Sequence, residues 1–308
     1  MWNKLWKWGI LGFLCAQCVC CAGNRSEEIA EPLKSPVCGE KHLLWKAEKV
    51  GAPAVWLLGS IHLADSSFYP FAPVIDSAFD ASTLLAAELD LTEESTMQET
   101  GRLMAEKGRL PADVKLDSIL PPEMYAKLDS VTKAWNIPLE ILKPFRPWMI
   151  ALSLSAVAIE RTGLSGEYGI DKELLSRAED QNKKVFAIET PGEQVSVFSD
   201  AKDSLGVRYL KNTLDEILQA DSLIAEIANA WKCGDVPKMQ QIFAADTAEA
   251  DYEEALYTKR NLRMAESIDS LTTAGEKAFI VVGAAHLVGD GDNVLKLLRD
   301  RGYAVEQR

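Results

Sequence analysis

Two stretches of this 308-residue chain end in the same pattern. Val55-Trp56-Leu57-Leu58-Gly59-Ser60-Ile61-His62-Leu63 and Phe279-Ile280-Val281-Val282-Gly283-Ala284-Ala285-His286-Leu287 each read as an apolar β-type run, then Gly-x-x-His, then Leu. The chain has only three histidines, so two of them share one local context. A buried strand that ends in glycine and then a polar residue delivers that side chain at its carboxyl end. In open α/β sheets this edge is where ligands bind. Two matching deliveries imply one site assembled from both ends of the chain, on strands that are neighbours or near neighbours in one sheet. Glycine three residues before each histidine permits a tight turn or a close backbone approach.

Carboxylates fall at comparable places. Glu88 closes the run Thr83–Leu91 and Glu189 closes Lys184–Glu189. Histidine and carboxylate are the donors used by zinc, manganese, iron or cobalt. Two histidines with one or two carboxylates and open positions suit hydrolysis, because the ion lowers the pKa of bound water. Each residue also has a plainer role open to it. A histidine after a strand can be a hydrogen-bonded structural residue. Glu88 can face water in an alternating strand, and Glu189 can serve the helix that begins at Pro191, with Glu193 and Gln194 in its first turn. Arg146 binds an anion or pairs with the acidic surface. Arg260 and Asn261 point into the site or lie on an exposed helical face. In Tyr168-Gly169-Ile170-Asp171, Asp171 fits an N-cap. His42 has no partner in sequence and reads as structural or exposed. There is no Gly-x-Ser-x-Gly, no His-Glu-x-x-His and no Gly-rich phosphate loop, so nucleophile-elbow hydrolases and zincins are disfavoured.

The elements that must position these groups follow from the pattern. His42–Lys49 and Ala54–Leu58 form a hairpin about the turn Val50-Gly51-Ala52-Pro53. Thr83–Leu91, Lys184–Glu189, Ala278–Val282 and Tyr303–Glu306 are further strands. Helices are expected over 71–81, 121–135, 147–162 and 171–182, then in succession from Pro191 to Ser270 with breaks near Gly234-Asp235 and Asp246, and over 293–301. The strongly apolar 147–162 segment is too short for a membrane span and reads as a core helix. Strands at both ends with helices between them predict an α/β fold. Its central mixed β-sheet is built from both ends of the chain, flanked by helices, with a helical insertion in the middle.

Lys4 and Lys7, the apolar run Gly9–Cys21 and small residues around Ala22 read as a secretory signal over residues 1–22. An uncleaved anchor and lipidation within Cys15–Cys21 are the alternatives, and they supply the only membrane attachment expected. Residues 23–40 read as a tether and 41–308 as one domain. Two cysteines, Cys38 and Cys233, lie beyond the signal; they form one disulfide in an oxidising compartment or remain free buried thiols. A net charge of −13 with no basic cluster argues against nucleic acid as a partner.

Taken together, these segments resemble the TraB/GumN family, which includes the Tiki membrane proteases. The resemblance rests on Trp56–Asp65, on Ala87-Glu88-Leu89-Asp90, on Lys143-Pro144 and Pro147-Trp148, and on Tyr168–Asp171. It continues through Ala187–Thr190 with Glu193-Gln194, Arg260-Asn261 and Val282–Gly289, so it spans about Leu43 to Glu306. The family implies two Gly-x-x-His motifs and an acidic residue at one site. Its Tiki-like members imply metal-dependent proteolysis, and the fold is related to erythromycin-esterase-like hydrolases.

The expectation is a periplasmic or secreted metal-dependent hydrolase, acting on a peptide bond or a small-molecule substrate. His62, His286 and Glu88 would hold a divalent ion (manganese, cobalt or zinc). Glu189 would be a general base or outer support, so Glu88 and Glu189 are the catalytic candidates. Arg146, Arg260 and Asn261 are the substrate-binding candidates. A metal-free hydrolase, with one histidine as base and a glutamate orienting it, is the rival enzyme. A non-catalytic metal- or ligand-binding envelope protein is the rival of another class.

Overall fold

The computed structural model describes residues 38–244, 254–289 and 291–308. The signal, nearly all of the tether and the break expected near Asp246 lie outside the described residues. Six strands form one sheet: β1 (Leu44–Glu48), β2 (Val55–Ser60), β3 (Leu84–Ala87), β4 (Lys184–Ala187), β5 (Ala278–Gly283) and β6 (Ala304–Gln307). Their spatial order is β4-β3-β5-β2-β1-β6, and thirteen α-helices surround the sheet among the described residues. This is the expected α/β architecture, with strands from both ends of the chain in one mixed sheet.

The strand pairings explain where a site can form. β1 and β2 make the expected antiparallel hairpin, and β6 adds antiparallel to β1. The other contacts are parallel: β2 with β5, β5 with β3, and β3 with β4. Four adjacent strands therefore end at one edge. β5, Ala-Phe-Ile-Val-Val-Gly, is buried along its whole length, as a parallel strand covered on both faces must be. The two histidine-bearing strands are immediate neighbours. Their register is offset by one residue, with Gly59 opposite Val282 and Ser60 opposite Gly283.

Helix Pro147–Glu160 is apolar all round and buried along nearly its whole length, which makes it a core helix. Among the described residues, no helix is long and apolar enough to cross a membrane. Cys38 and Cys233 are disulfide-bonded. The bond ties the start of the described domain to the end of helix Ala220–Lys232, whose Trp231 Nε1 donates 2.6 Å to the Gly59 carbonyl.

Two element boundaries differ from the pattern-based expectation, with consequences for the site. The third strand stops at Ala87 rather than Leu91, and the fourth stops at Ala187 rather than Glu189. Pairing continues just beyond them, through Ile188 N to Ala87 O at 2.8 Å and Glu189 N to Glu88 O at 2.9 Å. Glu88 and Glu189 thus leave the sheet together.

Candidate active site

The structure gathers His62, Glu88, Glu189 and His286 at the carboxyl edge of the four parallel strands, and each of the four is held by groups from remote sequence. Glu88 follows β3 directly and is 5% exposed. Its Oε1 accepts the Gly283 N–H at 2.7 Å, and its Oε2 accepts Arg260 Nη2 at 2.9 Å and Gln194 Nε2 at 3.1 Å. A solvent-facing Glu88 is therefore excluded. Glu189 is equally buried. Its Oε1 accepts Arg260 Nε at 2.7 Å, while its Oε2 accepts Arg260 Nη2 at 2.6 Å and Gln194 Nε2 at 3.1 Å. The following helix, Pro191–Ser199, is capped instead by Thr190 and Glu193 in a capping box, which frees Glu189 to grip the guanidinium.

Arg260 is 1% exposed. Besides the two carboxylates it reaches the Leu256 carbonyl through Nη1 at 3.2 Å. Of the two readings open for Arg260 and Asn261, the exposed helical face is excluded: both are buried and point inward from helix Lys259–Thr273. Composition concealed this, because a long polar helix hides which of its charges face the core. Arg146 is placed elsewhere. It precedes helix Pro147–Glu160 and pairs with Asp203 at 2.6 Å, outside the cluster.

The two histidines are anchored in matching ways by different partners. His62 Nδ1 lies 2.7 Å from Asp171 Oδ2, and Ser60 Oγ donates 2.8 Å to Asp171 Oδ1. A carboxylate only accepts, so His62 carries its hydrogen on Nδ1. The N-cap reading of Asp171 is thereby corrected. Gly169 occupies the cap of helix Ile170–Asp180, and Asp171 in the first turn spends its carboxylate on Ser60 and His62. Aspartate at a helix start can cap that helix locally or reach a remote partner, and sequence alone does not choose between them. His286 sits in the short helix Ala284–Val288. Its Nδ1 is 2.6 Å from Asn261 Oδ1, and Asn261 Nδ2 donates 3.0 Å to the Asp292 carbonyl. That second bond orients the amide, so Nδ1 is the protonated nitrogen here as well. Tyr257 stands edge-on to the ring, 5.4 Å between centroids. In both residues Nε2 is left for other work; that of His286 is 3.9 Å from Glu88 Oε1.

The glycines acquire different reasons. A Cβ on Gly59 would lie 3.1 Å from Ala284 Cα, so the first motif's glycine makes room for the second motif's turn. Gly283 caps the helix that carries His286 and gives its N–H to Glu88.

Electrostatics separate the two rings. Burial works against charge on His62, but the Asp171 carboxylate and its hydrogen bond, with help from Glu88, raise its pKa to about 9. His286 goes the other way: burial, then the positive charges of Arg260 and His62, lowers it well below 6.5. Burial pushes Glu88 above the usual carboxylate range, Arg260 pulls back, and the Glu189 charge pushes further. Burial would raise Glu189 too, but Arg260 lies against both its oxygens and holds it low. The mutual influence of His62, Glu88, Arg260 and His286 marks them as one electrostatic unit.

The TraB/PrgY/gumN family model matches residues 43–307. The chain belongs to this family. The protein YbaP of Escherichia coli K12 is 25% identical over 84% of this chain and 94% of its own length. Metalloprotease TIKI1 of Danio rerio is 25% identical over 85% of this chain, which spans 62% of that relative. The metalloprotease TIKI homolog of Nematostella vectensis is 22% identical over 92% of this chain and 72% of its own length. No solved structure matches. Distant relatives named as metalloproteases therefore accompany a fold that gathers two histidines and two glutamates at one edge.

The donor chemistry suits a borderline divalent ion. Both imidazoles have Nδ1 tied to an acceptor, the support that metal-binding histidines characteristically receive, and Nε2 of His286 lies beside Glu88. Among the described residues, no three His, Cys, Asp or Glu side chains are grouped closely enough to enclose an ion. An ion here would be held by the imidazoles, with Glu88 adjacent and the remaining positions open, as in catalytic rather than structural sites.

Proposed function

We propose that the protein is a metal-dependent hydrolase of peptide bonds, with His62 and His286 binding the ion through Nε2 and Glu88, adjacent to them, drawing in as the third donor when the ion binds. The observation that carries this reading is the pair of imidazoles presented from neighbouring parallel strands beside Glu88, each fixed in one tautomer by Asp171 or Asn261. The metalloprotease names of distant relatives support it. A bound divalent ion would lower the pKa of water and polarise the carbonyl under attack. The protein's own contribution is positional. Asp171 keeps Nδ1–H on His62 once Nε2 gives up its proton. Asn261 does the same for His286, and the low pKa of His286 keeps its lone pair available. Glu189 serves as a positioning residue, because Arg260 occupies both its oxygens. Arg260 in turn balances two buried carboxylates, and Asn261 orients His286, so neither is spare for substrate.

One observation favours a second reading. The pKa values of His62 and His286 are pushed in opposite directions, the pattern of a general acid facing a general base, which would serve hydrolysis without an ion. Metal content and peptide turnover of the purified protein decide between them. The metal reading expects stoichiometric divalent ion, loss of turnover on chelation, and loss of both ion and turnover in His62→Ala and His286→Ala. Turnover that survives chelation would transfer the function to the acid–base pair. The Cys38–Cys233 disulfide supports the further proposal that the protein works in the periplasm or outside the cell, where such bonds persist.

A further inference from the structure

Beside the His62 arm the protein has a cavity of about 600 Å³, within the range of small-ligand sites. Its aromatic walls are Tyr69, Phe71 and Tyr168, and its acidic walls include Asp76 and Glu173. The one cation on the lining, Arg177, is already spoken for. Its Nη1 pairs with Asp76 at 2.7 Å, and its guanidinium lies 5.9 Å from the Phe71 ring and 4.8 Å from the Phe79 ring. Glu173, partly exposed, makes no ion pair among the described residues. The cavity is thus lined by aromatic rings with surplus negative charge, and its own arginine lies over one of those rings, Phe71.

The cavity is tied rigidly to the candidate active site. Its rim segment, 165–171, is zipped onto the segment that carries His62. Ser165 and Ala64 exchange backbone hydrogen bonds at 2.8 and 3.1 Å, and Ile170 N donates to Ile61 O at 3.2 Å. Gly169 lies against the His62 carbonyl so closely that a Cβ would clash. Tyr69 Oη donates 2.6 Å to the Tyr168 carbonyl and fixes the mouth. The charges of Glu173 and Asp171 are both felt at Tyr69, which burial and these carboxylates hold in its protonated form. Glu173 and Asp171 stand in one helix start, one facing the cavity and the other gripping His62.

We propose that this cavity is a specificity subsite for a cationic side chain, arginine or lysine, of a peptide substrate whose scissile bond lies at the His62–His286 site. The proposal rests on the peptidase reading for its setting, while recognition of the cation is independent of turnover. Two measurements keep them apart. The first is binding of N-acetyl-arginine amide to the purified protein by NMR titration, with the norleucine and glutamate analogues as controls. The arginine probe should bind, weaken with salt, and weaken about tenfold in Glu173→Gln, as expected for loss of a charge-assisted partner. Tyr168→Ala should also weaken it, by removing one ring of the lining. The second is cleavage of peptide pairs that differ by a single Arg→Gln change. The arginine member should be preferred, and Glu173→Gln should erase the preference by bringing the arginine member's kcat/KM down toward that of its glutamine partner. Arginine binding without any turnover would uphold the subsite and overturn the peptidase. Turnover with no cation preference, or equal binding of the three probes, or indifference to both variants, would overturn the subsite.

Discussion

The two histidine arms begin from nearly the same local sequence and arrive at opposite chemical states. His62 is held by an anion, Asp171, and its pKa rises to about 9. His286 is held by a neutral amide, Asn261, faces the Arg260 cation, and falls well below 6.5. Neither partner belongs to the repeated motif. Asp171 arrives from a helix start 109 residues after His62, and Asn261 from a helix 25 residues before His286. The motif delivers a ring to a sheet edge; the remote partner decides what the ring can do. Between the arms, Arg260 bridges Glu88 and Glu189 and repels a proton from both rings, so the asymmetry comes from Asp171, which outweighs that cation at His62 alone.

Removing that cation should have the largest effect. Arg260→Met would take the arginine from Glu88 and leave Glu189 only Arg263 at 3.7 Å, and breaking such a network typically costs about 3–5 kcal/mol. Denaturant unfolding measures it. A milder loss, or a full recovery when Glu88→Gln and Glu189→Gln are added, would show how much of the cost is unpaired charge. If Arg260→Met folds as well as the parent, the guanidinium is not what balances the two acids.

What made the architecture legible was the strength of the apolar runs. β2 and β5 could hardly be anything but buried strands, and their shared endings already implied that they are neighbours or near neighbours. His62, Glu88, Glu189 and His286 were visible for the same reason: each is a polar residue at the end of such a run. The supports were harder to read. Asp171 looks like an ordinary helix cap, and Arg260 and Asn261 look like part of a solvated helix face. Their roles depend on which side of a helix meets the sheet edge, a tertiary fact with no short-range signature. Gln194 is a similar case, polar in a first turn yet buried between two glutamates. The strand ends were overrun for a local reason: the backbone goes on pairing as far as Glu88 and Glu189, and beyond Glu88 the chain bends away into a turn in which Asp90 accepts the Thr92 N–H.

The opposite titrations should appear as opposite slopes of stability against pH. The folded-state pKa of His62 lies above its ordinary 6.5. Its contribution is fully present below pH 6.5 and is lost as pH rises through about 9. Over that window the shift corresponds to about 3 kcal/mol as an upper figure, since each unit is worth about 1.4 kcal/mol. The His286 value is depressed. Below pH 6.5 the unfolded chain takes up a proton that the folded site refuses, so stability falls as pH falls. Unfolding free energies from pH 5 to 9.5 should therefore lose their alkaline decline in His62→Gln and part of their acid decline in His286→Gln. The reverse assignment of the two slopes would break the comparison. If an ion binds, it must displace the His62 proton, so uptake by the ion-free protein should release about one proton at pH 7. Calorimetry in buffers of different ionisation enthalpy counts it.

The smallest expected effect tests how much of the asymmetry lies in the motifs themselves. The copies differ at the residue after glycine, Ser60 in the first and Ala284 in the second. Ser60 Oγ donates to the Asp171 oxygen that His62 leaves free, one of the contacts holding the Asp171 pKa down alongside His62 itself. Ser60→Ala makes the first motif match the second at that position and removes a buried hydrogen bond worth about 1.5–3 kcal/mol when the acceptor is charged. The His62 midpoint, followed by NMR of the ring protons in ion-free protein, should hold near 9 or rise slightly, because the Asp171 carboxylate stays ionised beside Nδ1 and has lost a competing donor. Asp171→Asn should lower it far below 9, since that change gives His62 the kind of neutral amide that holds His286. If Ser60→Ala moved the midpoint as far as Asp171→Asn, the distinction between the arms would be written in the repeated motif after all, and the remote carboxylate would be only its accessory.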